Sequence, residues 1–201
     1  MNATIIQSAL CKTRVRHRPL PSIFFFPGLN TNPIFDNSQI SIAKALAEKT
    51  SIIREEYLQL KSKRPVDSYD TGEHKLHQGK WEWHSFIDKG SISTEFQHEC
   101  PVTTALLESF TAPRFMKHTP FSFAFFSTLR SQSSIQPHYG PANIRIRCHL
   151  PLIVPQGDCG FRVGSESIVS DSSKWFTHSN YCRVGKLESL SSLMTVSSTA
   201  V

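Results

Sequence analysis

Residues 143–154 read NIRIRCHLPLIV, and the alternation of their side chains is typical of a β-strand. One face of this strand carries apolar residues, namely Ile144, Ile146, Cys148, Leu150 and Leu152. The other face carries Arg145, Arg147 and His149, because successive side chains of a strand point to opposite sides. Pro151 lacks the N–H group that a ladder hydrogen bond needs, so it predicts an edge strand or a β-bulge at that point.

Helices and further strands are predicted on both sides of this segment. Asn37 or Ser38 can cap a helix whose apolar residues recur at helical spacing. A second, shorter helix is expected to begin after Pro101. The alternating run at 121–129 and the short run at 161–164 are typical of strands. This order predicts a mainly β or α+β domain with flanking helices on its N-terminal side.

The polar face of the strand at 143–154 is the first candidate for chemistry. A guanidinium group offers a planar fork that matches a carboxylate, and an imidazole is a common metal ligand. His138 lies just upstream, in a turn that reads PHYGP at 137–141 and is stiffened by its prolines and glycine. Two interpretations stay open from the residues alone. The face is an anion or metal site, or it is a solvated strand edge beside a loop histidine.

The composition excludes several classes of protein. The chain has 201 residues, enough for one domain, and 22 Lys+Arg against 16 Asp+Glu give a formal net charge of +6. This charge is too scattered to indicate nucleic-acid binding. We expect neither a membrane span nor a cleaved signal in this chain, because its longest apolar run is short and interrupted. The 5 cysteines lack CxxC spacing and are interpreted as free thiols, most of them buried.

Three zones are predicted along the chain. Residues 1–20 are a basic arm without periodicity, and residues 21–166 carry the patterned domain. Residues 167–201 are rich in serine, and we expect them to form a poorly ordered tail. His74 and His77 fall in a polar stretch without metal-ligand spacing, so we interpret them as solvated residues.

The core motif resembles that of a known family. Residues 135–150, IQPHYGPANIRIRCHL, with Ser127 and Leu129 upstream, are similar to the aspartyl/asparaginyl β-hydroxylase family. The core of that family reads roughly S-x-L and then PHxGPxNxRLRxHL. The resemblance covers about residues 21–166. Shorter pieces similar to the family lie at 26–29, 100–107 and 159–166.

This resemblance implies a double-stranded β-helix, or jelly roll, that binds Fe(II) and 2-oxoglutarate. It implies that His138 is an iron ligand. The residues that it assigns to 2-oxoglutarate are Ser127, Arg147 and His149. Many non-haem iron oxygenases use two histidines and a carboxylate, and here Gly140 stands where that carboxylate would follow the first histidine. The family is known for binding iron with two histidines only, so the glycine agrees with the resemblance.

The resemblance also implies the reaction and its partner. The implied reaction hydroxylates the β-carbon of Asp or Asn in a protein substrate. Arg145 would contact the acidic side chain of that substrate, and Trp83 would be a tryptophan on the substrate side. Family members are often anchored in the membrane of the endoplasmic reticulum. The present sequence shows no anchor and predicts no compartment.

The second iron-binding histidine of the family is not found in this sequence. In the family it belongs to a segment that reads FDDSFEH, whereas His178, the sole histidine after His149, lacks the acidic neighbours. We therefore expect the last core strands to be missing, and we treat family membership and activity as separate questions. In a shifted frame, codons for residues 193–199 can encode Asp-Asp-Ser-Phe-Glu-His, so an out-of-frame reading of the tail is one explanation.

Two alternative functions follow from this departure. The first is a catalytically dead jelly-roll fragment that acts as a protein-binding module. The second is a module that binds a carboxylate ligand through Arg145 and Arg147 without metal. A second iron-binding histidine would indicate the enzyme, and its absence would indicate the first alternative. Binding of 2-oxoglutarate that is unaffected by iron would indicate the second.

Overall fold

The structure is a computed structural model with side chains. It describes residues 21–199 except for 22, 30–31, 37, 39, 65–66, 69–75, 111–114, 136–137, 155–159, 165, 170–175, 180, 185 and 188–190. The predicted basic arm at 1–20 lies outside the described residues, as do Asn37 and His74, whereas His77 lies in the strand Leu76–Gln78.

Four helices lie in the described part of the chain: α1 (Ser41–Glu48), α2 (Thr50–Lys63), α3 (Thr94–Glu99) and α4 (Pro101–Glu108). The first predicted helix is present as α1 and α2, and α4 begins at Pro101 as predicted. The expected cap at Ser38 is wrong, because its hydroxyl and N–H both donate to Asp36 and the N-cap of α1 is Ile40. None of these helices is long and apolar enough to cross a membrane.

Fifteen strands are described. The first eight are β1 (Ile34–Phe35), β2 (Asp67–Ser68), β3 (Leu76–Gln78), β4 (Trp81–Asp88), β5 (Ser91–Ile92), β6 (Phe123–Leu129), β7 (Ser133–Ile135) and β8 (His138–Tyr139). The others are β9 (Arg145–Ile153), β10 (Gly160–Val163), β11 (Glu166–Val169), β12 (Phe176–Ser179), β13 (Tyr181–Val184), β14 (Lys186–Leu187) and β15 (Ser191–Thr199). The strands predicted at 121–129, 143–154 and 161–164 are therefore confirmed, as β6, β9 and β10.

The strands form two facing sheets and a small third one within the described residues. The large sheet has the order β1-β12-β9-β15-β6-β4-β2, with β5 paired to β4. The second sheet has the order β11-β10-β13-β8, and the third is β14-β7-β3. The rings of His149 in the large sheet and Phe161 in the second sheet lie 5.4 Å apart, so these two sheets pack face to face. This arrangement confirms the predicted jelly roll with flanking helices.

Strand β9 lies inside the large sheet and contributes to the main core. Its apolar face, with Cys148, Leu150 and Leu152, packs against residues of α1 and α2 in the main hydrophobic cluster. Cys148 is buried and free, as is Cys100. Because β12 and β15 pair with its two sides, β9 is not an edge strand. Pro151 instead lies at a register shift, which confirms the bulge that the sequence left as one of two choices.

The expectation that the last core strands are missing is corrected by β15. This strand lies between β6 and β9 and pairs with both. Without it, β6 and β9 would each expose an unpaired edge. Within the expected tail, β12 and β13 also pair, with β9 and with β8 and β10. The physical reason lies in Met194, which is fully buried in the main cluster and anchors β15 although serines surround it.

Candidate functional site

The polar face of β9 lines the interior between the two facing sheets. Arg145, Arg147 and His149 expose only 1%, 8% and 7% of their surfaces. A solvated strand edge would leave these side chains in water, so that interpretation is wrong. Two guanidinium groups and an imidazole on one buried face suit it to an anion, because guanidinium groups bind carboxylates through paired hydrogen bonds.

Ser127 reaches the same interior from β6. Its register partners are Trp83 on β4 and Leu193 on β15. The indole Nε1 of Trp81 donates a hydrogen bond of 2.8 Å to the Ser127 Oγ. Trp81 was not predicted as a site residue. Its one signal in the sequence is the spacing of two from Trp83, which puts both indoles on one face of a strand.

His149 is held by a residue of the predicted tail. The Thr195 Oγ1 on β15 lies 3.0 Å from the His149 Nδ1, and Thr195 is itself 1% exposed. This hydrogen bond fixes the imidazole plane and leaves Nε2 as the other polar atom of the ring. Thr195 was missed at the sequence level, because nothing distinguishes it from the serines and threonines around it.

Arg145 lies deeper in the interior than Arg147. Its Nη1 donates to the Phe121 carbonyl oxygen at 2.9 Å, and its guanidinium carbon lies 5.2 Å from the centre of the Phe123 ring. The contacts that the structure shows for Arg145 are therefore with other residues of the same chain, Phe121 and Phe123. Its predicted role toward a substrate side chain stays a prediction.

Trp83 belongs to an aromatic cluster on the inner face of the large sheet. Its ring stacks on Phe125 at 3.7 Å between centroids, and the Trp81 ring meets it edge-on at 4.9 Å. Trp83 is fully buried. The structure thus places Trp83 beside the Ser127 region, and its predicted contact with substrate stays a prediction.

His138 lies on β8 of the second sheet and is half-buried. The chain after it is tied to the segment at 21–29 by Asn143, whose Oδ1 accepts from the Phe26 N–H at 2.7 Å and whose Nδ2 donates to the Phe26 carbonyl at 2.9 Å. The Ile23 and Phe24 N–H groups also donate to the Pro141 carbonyl. These bonds explain why the motif carries an asparagine, since it fixes the loop that follows His138.

The two candidate metal ligands lie on strands of different sheets. His178 lies on β12 as the register partner of Arg147, in the large sheet, whereas His138 lies in the second sheet. Among the residues that the structure describes, no group of three His, Cys, Asp or Glu side chains is arranged to hold a metal ion. An imidazole suits Fe(II), so His138 fits the implied metal, but the described residues do not complete its site.

Known structures share this architecture. The chain is similar to a prolyl hydroxylase from Trichoplax adhaerens, solved in complex with a hypoxia inducible factor oxygen degradation domain peptide fragment. The TM-score is 0.52, with 83% of this chain and 82% of that chain covered and 8% sequence identity. This likeness shows that the chain shares the jelly-roll fold of that prolyl hydroxylase.

The sequence comparisons identify the family. The profile of the Aspartyl/Asparaginyl beta-hydroxylase family matches residues 47–180. The chain belongs to the aspartyl/asparaginyl β-hydroxylase family. This confirms the family that the core motif resembles.

Curated relatives are longer than this chain. Aspartate beta-hydroxylase domain-containing protein 2 of Xenopus tropicalis is 32% identical over 149 residues, which is 73% of this chain and 40% of that protein. The mouse protein of the same name is 33% identical and 43% covered. Aspartyl/asparaginyl beta-hydroxylase of mouse is 24% identical over 156 residues, with 76% of this chain and 21% of that protein covered. The chain thus spans about two fifths of the length of the first two relatives and about one fifth of the length of the third.

Proposed function

We propose that this protein is an Fe(II)- and 2-oxoglutarate-dependent dioxygenase that hydroxylates the β-carbon of Asp or Asn in protein substrates. The observation that carries the proposal is the buried inner face on which Ser127, Arg147 and His149 lie together. The family and the shared oxygenase fold support the same chemistry. The peptide bound to the Trichoplax prolyl hydroxylase supports a protein substrate.

The proposed task of the inner face is to bind the 2-oxoglutarate carboxylate. Arg147 supplies a guanidinium fork, which can donate hydrogen bonds to both oxygens of a carboxylate, and these bonds are stronger out of water. Ser127 has its hydroxyl proton available, because Trp81 already donates to its oxygen. His149 supplies a ring N–H at the end opposite Thr195 when its Nδ1 accepts from the threonine hydroxyl.

The proposed task of His138 is to bind iron. When bound, Fe(II) and 2-oxoglutarate would activate O₂, one atom of which would enter the substrate and the other the succinate formed from 2-oxoglutarate, and the protein would position them. His138 approaches from the second sheet while the carboxylate anchors lie on the large one, so the bound groups would lie between the sheets. Arg145 and Trp83 are proposed to act on the substrate side of this space.

Activity is tested by turnover of the purified chain with Fe(II), 2-oxoglutarate and an Asp- or Asn-containing peptide. The proposal predicts succinate formation and the gain of one oxygen atom by the peptide, measured by mass spectrometry. Arg147→Ala should lower the rate by at least about a hundredfold, since a charge-assisted bond contributes about 1.5–3 kcal/mol and its loss also misplaces the cofactor. Arg54→Ala is the control, because Arg54 is exposed on α2.

A second candidate function is favoured by one observation. Among the described residues no group of three His, Cys, Asp or Glu side chains is arranged to hold a metal ion, as a catalytically dead binding module would have it. In the same assay, a folded chain that binds the peptide without forming succinate would support this alternative. A chain that binds 2-oxoglutarate equally with and without iron would instead support a metal-free carboxylate-binding module.

A further inference from the structure

An ion pair with a buried carboxylate joins strands β4 and β6 at one end of their pairing. The Arg130 Nε and Nη2 both donate to the Glu82 Oε1, at 3.0 and 2.8 Å. Glu82 is 3% exposed, whereas Arg130 follows the last residue of β6 and is exposed. The Arg130 N–H also donates to the Lys80 carbonyl oxygen at 2.9 Å. Arg130 is thus bound to the β4 side of the pair by its main chain and by its side chain.

This ion pair lies on the face of the large sheet that is turned toward the helices. Glu82 is opposite Thr128 in the register of β4 and β6. The Thr128 Oγ1 lies 2.6 Å from the hydroxyl oxygen of Tyr57 on α2. Trp81 and Ser127 are the neighbouring residues on the two strands, so their side chains point to the opposite, inner face. The ion pair therefore lies directly behind the 2.8 Å hydrogen bond from Trp81 to Ser127.

The pairing of β4 with β6 is interrupted, so its two ends are aligned independently. A register shift falls between Ser85 and Ile87. The pairing of Ile87 with Ala124, beyond this shift, does not determine how the stretch that carries Trp81 is aligned. A slip of one residue in that stretch would turn its side chains to the other face. A specific contact within the stretch is a direct way to prevent such a slip.

The ion pair is better suited to fixing an alignment than to stabilising the fold. Both of its hydrogen bonds end on the Glu82 Oε1. Among the residues that the structure describes, the buried Glu82 Oε2 has no hydrogen-bond partner, which is unfavourable. Apolar side chains of similar volume often stabilise a protein as well as a buried ion pair does, and the best-attested benefit of a buried polar contact is a fixed register.

We infer that the Glu82–Arg130 ion pair fixes the register at which Trp81 donates to Ser127, so that both residues are positioning residues for the binding of 2-oxoglutarate. The inference rests on the proposed function, because it takes Ser127 as a ligand of the 2-oxoglutarate carboxylate. The ion pair itself touches neither cosubstrate nor substrate. It acts through the alignment of β4 on β6.

Two variants remove the ion pair with opposite effects on stability. Glu82→Met/Arg130→Met replaces both partners by apolar side chains, so the free energy of unfolding should be unchanged or raised. Arg130→Ala removes the exposed partner alone. It leaves the Glu82 carboxylate buried without its partner and should lower the free energy of unfolding. A merely structural role would follow stability, whereas a positioning role predicts the same loss of alignment in both variants.

The alignment is measured on the full chain without any ligand. The indole N–H signal of Trp81 in ¹H–¹⁵N NMR spectra reports its hydrogen bond to Ser127. The chain has 3 tryptophans, and loss of one signal in Trp81→Phe identifies it. We expect this signal to move upfield in both variants, because the hydrogen bond lengthens. Circular dichroism shows that each variant is folded.

Binding of 2-oxoglutarate is measured by isothermal titration calorimetry on the same proteins. Both variants should lower the affinity about two- to fivefold, since the ion pair contributes no more than the hydrogen bond that it positions. Adding Trp81→Phe to Glu82→Met/Arg130→Met should lower the affinity no further than Trp81→Phe alone, because all three substitutions act through one hydrogen bond.

The matched control removes an ion pair of the helices. Lys63→Met/Glu99→Met deletes the 2.9 Å contact between α2 and α3 and should change neither the Trp81 signal nor the affinity for 2-oxoglutarate. A change in this control as large as in Glu82→Met/Arg130→Met would overturn the inference.

The remaining outcomes separate this inference from the proposed function. If the affinity falls only in Arg130→Ala, it follows stability and the inference is wrong. A Trp81 signal that stays in place in both folded variants overturns it as well. If the wild type and both variants bind 2-oxoglutarate equally, the inference is wrong and the proposed function stands. If the wild type binds no 2-oxoglutarate, the proposed function is contradicted and the assigned role of the ion pair falls with it.

Discussion

The indole N–H of Trp81 and the hydroxyl of Ser127 form a 2.8 Å hydrogen bond across the β4–β6 pair. A serine hydroxyl has one proton to donate and two lone pairs to accept. Because Trp81 occupies a lone pair, the Ser127 proton remains able to donate to a carboxylate on the inner face. Trp81 is thus a positioning residue for Ser127, and the two act as one unit in the proposed binding of 2-oxoglutarate.

Removing either member of this unit should weaken 2-oxoglutarate binding. We expect Ser127→Ala to lower the affinity about tenfold, since a hydrogen bond to a charged group contributes about 1.5–3 kcal/mol. Trp81→Phe keeps an aromatic ring but removes the indole N–H. It should lower the affinity for 2-oxoglutarate less, by about two- to fivefold. Isothermal titration calorimetry measures both. Ser62→Ala, at an exposed position on α2, is the control, and an unchanged affinity in Ser127→Ala would contradict the assigned role.

The burial of Met194 is the most direct test of β15. Met194 is fully buried among residues of the helices and the large sheet, although it lies in the segment expected to be a tail. Met194→Ala should therefore reduce the free energy of unfolding by about 2–5 kcal/mol, the usual cost of emptying a buried methionine site. Urea denaturation measures the change.

Leu58→Ala is the matched control for this prediction. Leu58 is 46% exposed on α2, so its truncation should change stability by no more than about 0.5 kcal/mol. If residues 167–201 were a poorly ordered tail, Met194→Ala would leave the free energy of unfolding almost unchanged, because truncating a solvated side chain costs almost nothing. If the Met194→Ala variant and the wild type were equally stable, the place of β15 in the large sheet would be contradicted.

The sequence was most informative where one face of an element is apolar and the other is not. Strand β9 alternates between aliphatic and cationic residues because one face packs on helices and the other lines the interior, so its faces were predictable. The burial of its polar face was not predictable. The residues alternate in the same way whether Arg145 lies in water or, as here, is only 1% exposed. The resemblance, rather than the periodicity, separated those two possibilities.

Strand β15 was missed for a related physical reason. Its register partners on β9 include Arg145, Arg147 and His149, so the positions of β15 beside them carry small polar residues. A strand built this way has the composition of a solvated loop, and its three apolar residues, Leu193, Met194 and Val196, do not alternate regularly, so they are a weak apolar signal. The same limit hid Thr195, whose contact with His149 depends on a pairing between residues that are 46 apart in sequence.

Glu56 on α2 caps the N-terminus of α4 and is expected to matter for stability. Its two carboxylate oxygens accept hydrogen bonds from the Val102 N–H at 2.7 Å and the Thr103 N–H at 2.8 Å, and the Thr103 hydroxyl donates to the same group. The first N–H groups of a helix have no partners within the helix, and the helix dipole favours a negative charge there. Glu56→Ala would leave these donors, the Thr103 groups of them buried, without their partner.

We expect Glu56→Ala to lower the free energy of unfolding by about 2–4 kcal/mol, the cost of losing hydrogen bonds to a buried charged group. Glu56→Gln keeps one oxygen acceptor and should lose about half as much. Chemical denaturation measures both variants. Glu55→Ala changes the neighbouring, exposed carboxylate and should have almost no effect. A loss in Glu55→Ala equal to that in Glu56→Ala would contradict the capping role.

Cys100 should make stability depend on pH in the alkaline range. Burial, together with the nearby carboxylates of Glu56 and Glu99, raises the pKa of its thiol from 9.0 to about 12. The folded protein therefore keeps this proton to a higher pH than the unfolded chain does. The contribution of Cys100 to stability is complete below about pH 9 and is lost as the pH rises toward about 12, with a slope of up to about 1.4 kcal/mol per pH unit.

The comparison with Cys100→Ala isolates this effect from lysines and tyrosines that titrate in the same range. The variant loses packing by an amount that does not depend on pH, so below about pH 9 the wild type should be more stable by a constant margin. Above that pH the margin should shrink steadily, because only the wild type has the thiol to deprotonate on unfolding. Urea unfolding between about pH 8 and pH 10.5 measures the margin. A margin that stays constant, or grows, across this range would show that the Cys100 thiol is not held protonated by burial.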